Sequence, residues 1–275
     1  MLYHIKKFLY LISYINDIIN FGVNNSKQNN ISPDGDTMAG KTTTIKELLK
    51  AAMLPLGSTL YVYGGAWNEA DTGAGEEAMT FGVSPEWKKF YDSKDETYDF
   101  DKFRFQVHEG IDCTGLIGFS CFQVFGSAYS ETGYVFPSGI MAENYEKLFG
   151  GETVAPEDIK NYRPGDVMTK NGHVYFSIGR CGDGSVLLLH ASPPAPSFCG
   201  TVTPDGREDS EAVRLAREYM TRHYPDVMKR YPNMCMRKVE YLKEYSQYRW
   251  DRKVVSDPDG LEGMTPEEIL KELFK

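Results

Sequence analysis

Three side chains bound the chemistry this sequence can carry: Cys113 at the head of an apolar run, and His173 and His190 in two strand-like segments further along. Cys113 follows the turn Gly110-Ile111-Asp112, and the hydrophobic residues over 116–125 place it in the first turn of a helix. At such a position unpaired backbone N–H groups and the positive end of the helix dipole favour thiolate over thiol. The same N–H groups can receive an oxyanion. A thiol nucleophile, an imidazole base and a second imidazole to orient the first form the pattern of a cysteine hydrolase. Asp112 raises the pKa of a neighbouring thiol by its charge, so its expected use is to hold substrate. Gly115 is expected to keep the helix start slim enough for substrate to reach the sulfur. The competing reading of Cys113 is an inert buried thiol.

The elements that must position these groups are legible. Leu116, Ile117, Phe119, Cys121, Phe122, Val124 and Phe125 make the Cys113 helix apolar nearly all round, which predicts a buried central helix. His173, Tyr175 and Ser177 alternate with Val174, Phe176 and Ile178, as in a strand with two different faces. Asp183-Gly184 then turns the chain into the run from Val186 to Ala191, so a hairpin sets both histidines on adjacent strands. Upstream, Thr44, Ile45, Leu48, Leu49, Ala52 and Met53 fall at helical spacing, and Pro55 and Gly57 close the segment. A short strand follows, with Tyr61 and Tyr63 on one face and Gly64-Gly65 at its end. Arg163-Pro164-Gly165-Asp166 has Pro and Gly where a type II turn requires them. Residues 66–109, polar and studded with aromatics, read as an insertion over the site rather than as core, with a short capped helix at Ser84-Pro85-Glu86-Trp87. Beyond residue 205, an amphipathic helix is expected over 209–219, a packed and solvated face over 234–250, and a short helix after the capping box Thr265-Pro266-Glu267-Glu268.

Composition excludes several functions. With 275 residues, 41% of them hydrophobic, the chain can bury a sizeable core. A formal charge of -9 without a cluster of Lys and Arg argues against nucleic acid as a partner. Five cysteines with no C-x-x-C spacing point to neither a zinc ribbon nor a closed disulfide framework, and at least one thiol should be free. Lys6 and Lys7 precede a short apolar run that has the length of a signal h-region but is too brief to cross a bilayer, and an Asn-rich linker follows. Residues 1–40 are therefore read as a leader or linker: an export signal or anchor, an amphipathic helix, or an extension upstream of a start at Met38. Residues 35–42 match the phosphate-loop pattern G-x-x-x-x-G-K-[ST]. The preceding Gln28-Asn29-Asn30-Ile31-Ser32-Pro33-Asp34 cannot form the buried strand such a loop leaves, so no nucleotide is expected.

Five segments carry a resemblance. Tyr61-Val62-Tyr63-Gly64-Gly65, Asp112-Cys113-Thr114-Gly115-Leu116-Ile117, Arg163-Pro164-Gly165-Asp166-Val167, His173-Val174 through Ile178-Gly179, and Leu189-His190-Ala191-Ser192 resemble, in order and approximate spacing, the motifs of the NlpC-type cell-wall cysteine peptidase family. The resemblance covers about residues 42–194. It implies a papain-like α+β fold with a central nucleophile-bearing helix on an antiparallel sheet. It also implies cleavage of amide bonds in peptidoglycan stem peptides, between D-glutamate and a diamino acid, without metal or cofactor. By the same resemblance Cys113 is the nucleophile, His173 the base and His190 the third polar residue, with Tyr61, Asp112, Thr114 and Tyr175 facing substrate. Asp112 is a candidate partner for a free stem-peptide amine. Thr114 stands where the family has Ser, Tyr175 where it has a small residue, and the 66–109 segment is longer than the family's link. The expected organisation is a catalytic domain over 41–205 and an extension over 206–275 packed on it. Expected partners are stem peptides or muropeptides, with no stable membrane insertion. An amidase or acyltransferase on the same scaffold, or a silent peptide-binding module, are the alternatives.

Overall fold

The computed structural model describes residues 41–275. The leader, and all of the phosphate-loop-like run except Lys41 and Thr42, lie outside the described residues. What is described is α+β. Strand β1 (Thr43–Thr44) runs into helix α1 (Ile45–Met53), whose start is a capping box. The Thr44 hydroxyl accepts from the Glu47 N–H, and the Glu47 carboxylate accepts from the Thr44 N–H. Helix α2 (Pro85–Asp92) begins at the expected Ser84 cap with Pro at its first position. Helices α3 (Cys113–Phe125) and α4 (Met141–Phe149) follow. Then come strands β2 (Glu152–Val154), β3 (Val167–Lys170), β4 (His173–Arg180), β5 (Val186–Ser192) and β6 (Ala195–Thr201). The remainder supplies α5 (Glu211–His223), α6 (Pro225–Arg230), β7 (Met236–Arg237), β8 (Ser246–Arg249), β9 (Val255–Ser256) and α7 (Pro266–Leu273).

Seven strands form one mixed sheet in the order β2-β8-β3-β4-β5-β6-β7, antiparallel throughout except for the parallel β6-β7 pair. The predicted alternation in β4 is present. Val174, Phe176 and Ile178 join Leu187 and Leu189 of β5 in the main core, where Ile117 and Cys121 of α3 also sit. Tyr175 faces the other way, into a cluster with Met168, Leu188 and Tyr245. Helix α3 is apolar on all sides because it is wrapped on all sides. Its Phe119 meets Trp87 of α2, while a Cβ on Gly118 would lie 2.5 Å from Val135, so only glycine allows that approach.

Two expectations change. Residues 66–109 are core as well as cover: Trp87 is fully buried and Phe90 and Tyr91 nearly so, because the apolar side of α2 packs inward while its polar residues face solvent. Residues 234–250 are more than a packed face, since β8 is hydrogen-bonded between β2 and β3 and β7 closes the opposite edge. No residue boundary near 205 therefore divides the sheet.

The Arg163-Pro164-Gly165-Asp166 turn anchors β3 and β4. Gly165 adopts φ +79°, its N–H donates to Ser177 O at 2.8 Å, and Trp250 Nε1 donates to its carbonyl at 2.7 Å. The fully buried Asp166 carboxylate accepts from Arg163 Nε and Gln247 Nε2, both at 2.9 Å, and lies 3.8 Å from Arg252. Burial pushes this carboxyl up to about 6 against the pull of Arg163, leaving it ionised at neutral pH. Removing it takes the acceptor from Arg163 Nε and from the buried Gln247 Nε2, while Arg252 keeps Glu262. Asp166→Ala is expected to lower stability by about 1.5–3 kcal/mol, read from urea unfolding at neutral pH.

Candidate active site

Cys113 occupies the first position of α3, as its sequence context predicts, and Asp112 is the cap. The Asp112 carboxylate accepts from the Gly115 N–H at 2.7 Å and from the Thr114 hydroxyl at 2.9 Å. Trp67 Nε1 donates to its second oxygen at 3.1 Å and also to the Thr114 oxygen at 3.0 Å. Asp112 and Thr114, expected to face substrate, are thus buried in a knot that fixes the helix start. A Cβ on Gly115 would lie 2.5 Å from the Gly65 carbonyl, so this glycine is required by the neighbouring turn rather than by an incoming ligand. Burial raises the Asp112 carboxyl to about 6, opposed by the hydrogen bonds it accepts.

The two histidines come together as the hairpin predicts. His173 Nε2 lies 2.9 Å from His190 Nδ1. On its far side, His190 Nε2 accepts a hydrogen bond from Arg237 Nε at 3.1 Å. The Val174 N–H, next to His173 on β4, favours a thiolate at Cys113, and so do the N–H groups of the helix start. Tyr241 and Tyr245 close over this group. Their rings stand 5.6 and 6.3 Å from the His173 ring, and both lie near enough to Cys113 to feel its charge. Tyr61 flanks the sulfur from another side, its ring edge-on to Phe100 at 5.8 Å and almost entirely buried. Tyr175 does not line a cleft: it is fully buried, stacks on Tyr241 and donates its hydroxyl proton to the Tyr241 carbonyl at 2.8 Å.

Enclosure governs the electrostatics. Cys113 is 7% exposed, and burial, then the Asp112 charge, push its thiol well above its ordinary value in spite of the helix start. Burial, then Arg237 and Lys170, push His173 down to about 3. Burial, Arg237 and His173 hold His190 well below the usual imidazole range. The thiol is therefore uncharged and both imidazoles are neutral; the histidines are hydrogen-bonded to each other, while among the described residues the Cys113 sulfur makes no hydrogen bond to either ring and its neighbour on β4 is the Val174 N–H.

Trp67, Arg237, Tyr241 and Tyr245 had no motif to mark them, although Trp67 stands two residues beyond the Gly64-Gly65 pair. All five cysteines are free and buried. Among the described residues no group of His, Cys, Asp and Glu is arranged to hold a metal ion, and no helix is long and apolar enough to cross a membrane. Comparison of the chain with family models, curated proteins and solved structures gives no match.

The depressed imidazoles have a measurable consequence. An unfolded His173 takes up a proton below about pH 6.5, whereas the folded one resists until about 3, so its contribution is present above the first value and lost as pH falls towards the second. His173→Asn removes that uptake. Urea titrations between about pH 6 and about pH 4 should show stability falling less steeply in the variant, by up to about 1.4 kcal/mol per pH unit.

Proposed function

We propose that the chain is a papain-like cysteine peptidase that hydrolyses amide bonds in peptidoglycan stem peptides, of the D-glutamyl-diamino acid type, through a thioester. The observation that carries this reading is the 2.9 Å contact between His173 and His190, on the strand that begins beside a helix-start cysteine. Its support in the sequence is the order of the five motifs that resemble the NlpC-type family. The antiparallel run β3-β4-β5-β6 behind α3 suits a papain-like arrangement.

In this reading His173 takes the thiol proton and Cys113 attacks the amide carbon, while the backbone N–H of Cys113 steadies the oxyanion. The Tyr61 hydroxyl is the second candidate donor. The amine leaves with the proton held by His173, and water then hydrolyses the thioester to free acid and thiol. His190 orients His173 throughout. Asp112 and Thr114 act by fixing the helix start and so the sulfur.

One observation favours a second reading, a catalytically silent peptide-binding module. The sulfur is nearly covered and its thiol is held protonated. An amidase or acyltransferase with the same residues differs only in the acyl group and acceptor. Incubation with defined muropeptides separates these: wild type should release products cut at the D-glutamyl bond, identified by mass spectrometry, and Cys113→Ala should release none. Absence of turnover by wild type on every stem peptide removes the substrate assignment. Labelling of Cys113 by iodoacetamide with an unperturbed or raised midpoint, together with that absence, supports the silent module.

A further inference from the structure

The partner of His190 is chemically unusual for an orienting histidine. A guanidinium can only donate hydrogen bonds. Because Arg237 Nε donates to His190 Nε2 at 3.1 Å, that nitrogen must carry a lone pair, and the neutral ring keeps its proton on Nδ1. His190 Nδ1 is 2.9 Å from His173 Nε2, so it donates there, and the His173 proton is in turn confined to Nδ1. With Nε2 engaged, Nδ1 is the only ring nitrogen of His173 left for the thiol. It is already protonated, and a protonated Nδ1 cannot accept.

Arg237 itself lacks compensation. Nη1 donates to the Met236 carbonyl at 2.7 Å, Nη2 is buried without a partner, and among the described residues no carboxylate pairs with the guanidinium. A partly buried cation with a free donor is a receptor for an anion. We propose that Arg237 is a positioning residue that fixes both imidazole protons on Nδ1 and keeps Cys113 as a thiol until a carboxylate on the substrate draws the guanidinium off His190.

This rests on the hydrolase reading of the site. Protons balance across the change. In the held form the pair carries its two protons on Nδ1 and Nδ1. When Arg237 leaves, the pair carries them on Nε2 and Nε2, exchanged through water, with His173 Nε2–H donating to His190 Nδ1. The thiol proton then passes to the vacated His173 Nδ1, giving thiolate and imidazolium. The charged and titratable groups around the pair are Lys170 on β3, Cys199 on β6, Arg237 on β7, Tyr241 and Tyr245 beyond it, and Cys113 at the start of α3 with its cap Asp112. Of these, Arg237 is the one that donates directly to the pair.

The test uses no peptide, so its outcome is separable from muropeptide cleavage. Alkylation of Cys113 by iodoacetamide is followed against pH on the Cys113 peptide by mass spectrometry, in the full chain. In Arg237→Gln the amide oxygen can accept from His190 Nε2–H, so the reactivity midpoint should fall by at least about one pH unit, a roughly tenfold faster reaction near neutral pH. Arg237→Lys keeps a donor-only partner and should retain the wild-type profile. Sodium acetate should accelerate the wild type relative to sodium chloride of equal ionic strength, and should leave Arg237→Gln unchanged. A folded Arg237→Gln with the wild-type profile overturns the proposal, as does Arg237→Lys moving as far as Arg237→Gln. Acetate without effect on wild type overturns the anion trigger, and this arm needs no variant to fold.

Discussion

Three donors converging on one buried carboxylate hold the centre of this molecule. Asp112 accepts from the Gly115 N–H and the Thr114 hydroxyl of its own helix, and from the indole of Trp67 just past the Gly64-Gly65 turn. The backbone completes the clasp: Asp112 N–H donates to the Gly65 carbonyl at 3.1 Å, the same oxygen that leaves no room for a Cβ on Gly115. Sequence neighbours of Cys113 are thereby tied to the Gly64-Gly65 turn and to Trp67 far upstream in the chain, and the sulfur has little freedom about the helix axis. The direction in which it faces, along the start of β4, follows from that clasp rather than from any contact of its own.

Two effects compete at the sulfur, and their sizes decide the outcome. A helix start contributes about 0.3–1 kcal/mol to a neighbouring negative charge, roughly one pKa unit at most. Removing a thiolate from water in an apolar enclosure costs several units. Tyr61, Tyr241 and Tyr245 supply that enclosure, and burial outweighs the helix start. The same exclusion of water strengthens any charge pair formed inside it. A site of this kind is quiet while empty and responds sharply to the first ion that enters, which is why the identity of the group donating to His190 matters more here than at an open cleft.

Short-range signals in the sequence were sufficient for much of this. The two-residue period of β4, the Asp183-Gly184 turn, the capping box at Thr265 and the helix at Cys113 all rest on interactions within a few residues, and each appears as read. The pairing of His173 with His190 was legible because one hairpin brings them together. What could not be read were partners without a local pattern. Trp67 reaches Asp112, Arg237 reaches His190, and β8 enters between β2 and β3, all across long stretches of chain. The polarity of 66–109 misled in a specific way: it belongs to the outer side of α2, and the residues that matter, Trp87, Phe90 and Tyr91, are spaced to pack on the inner one.

The segment from Arg237 to Tyr248 therefore belongs to the site as much as the motifs do. Strand β7 lies parallel on β6 at one edge of the sheet, and β8 pairs with β3, the neighbour of the strand that carries His173. Between them, Tyr241 and Tyr245 cover the imidazoles and Tyr175 holds the cover down through its hydroxyl. Remove this cover in thought, and His173 regains water on one side and loses the field of Arg237, so its basicity moves back towards that of a free imidazole. The thiol, freed of part of its enclosure, moves down at the same time. The two shifts bring the affinities of thiol and imidazole closer, so in the proposed hydrolase the C-terminal segment sets how readily a proton passes from Cys113 to His173.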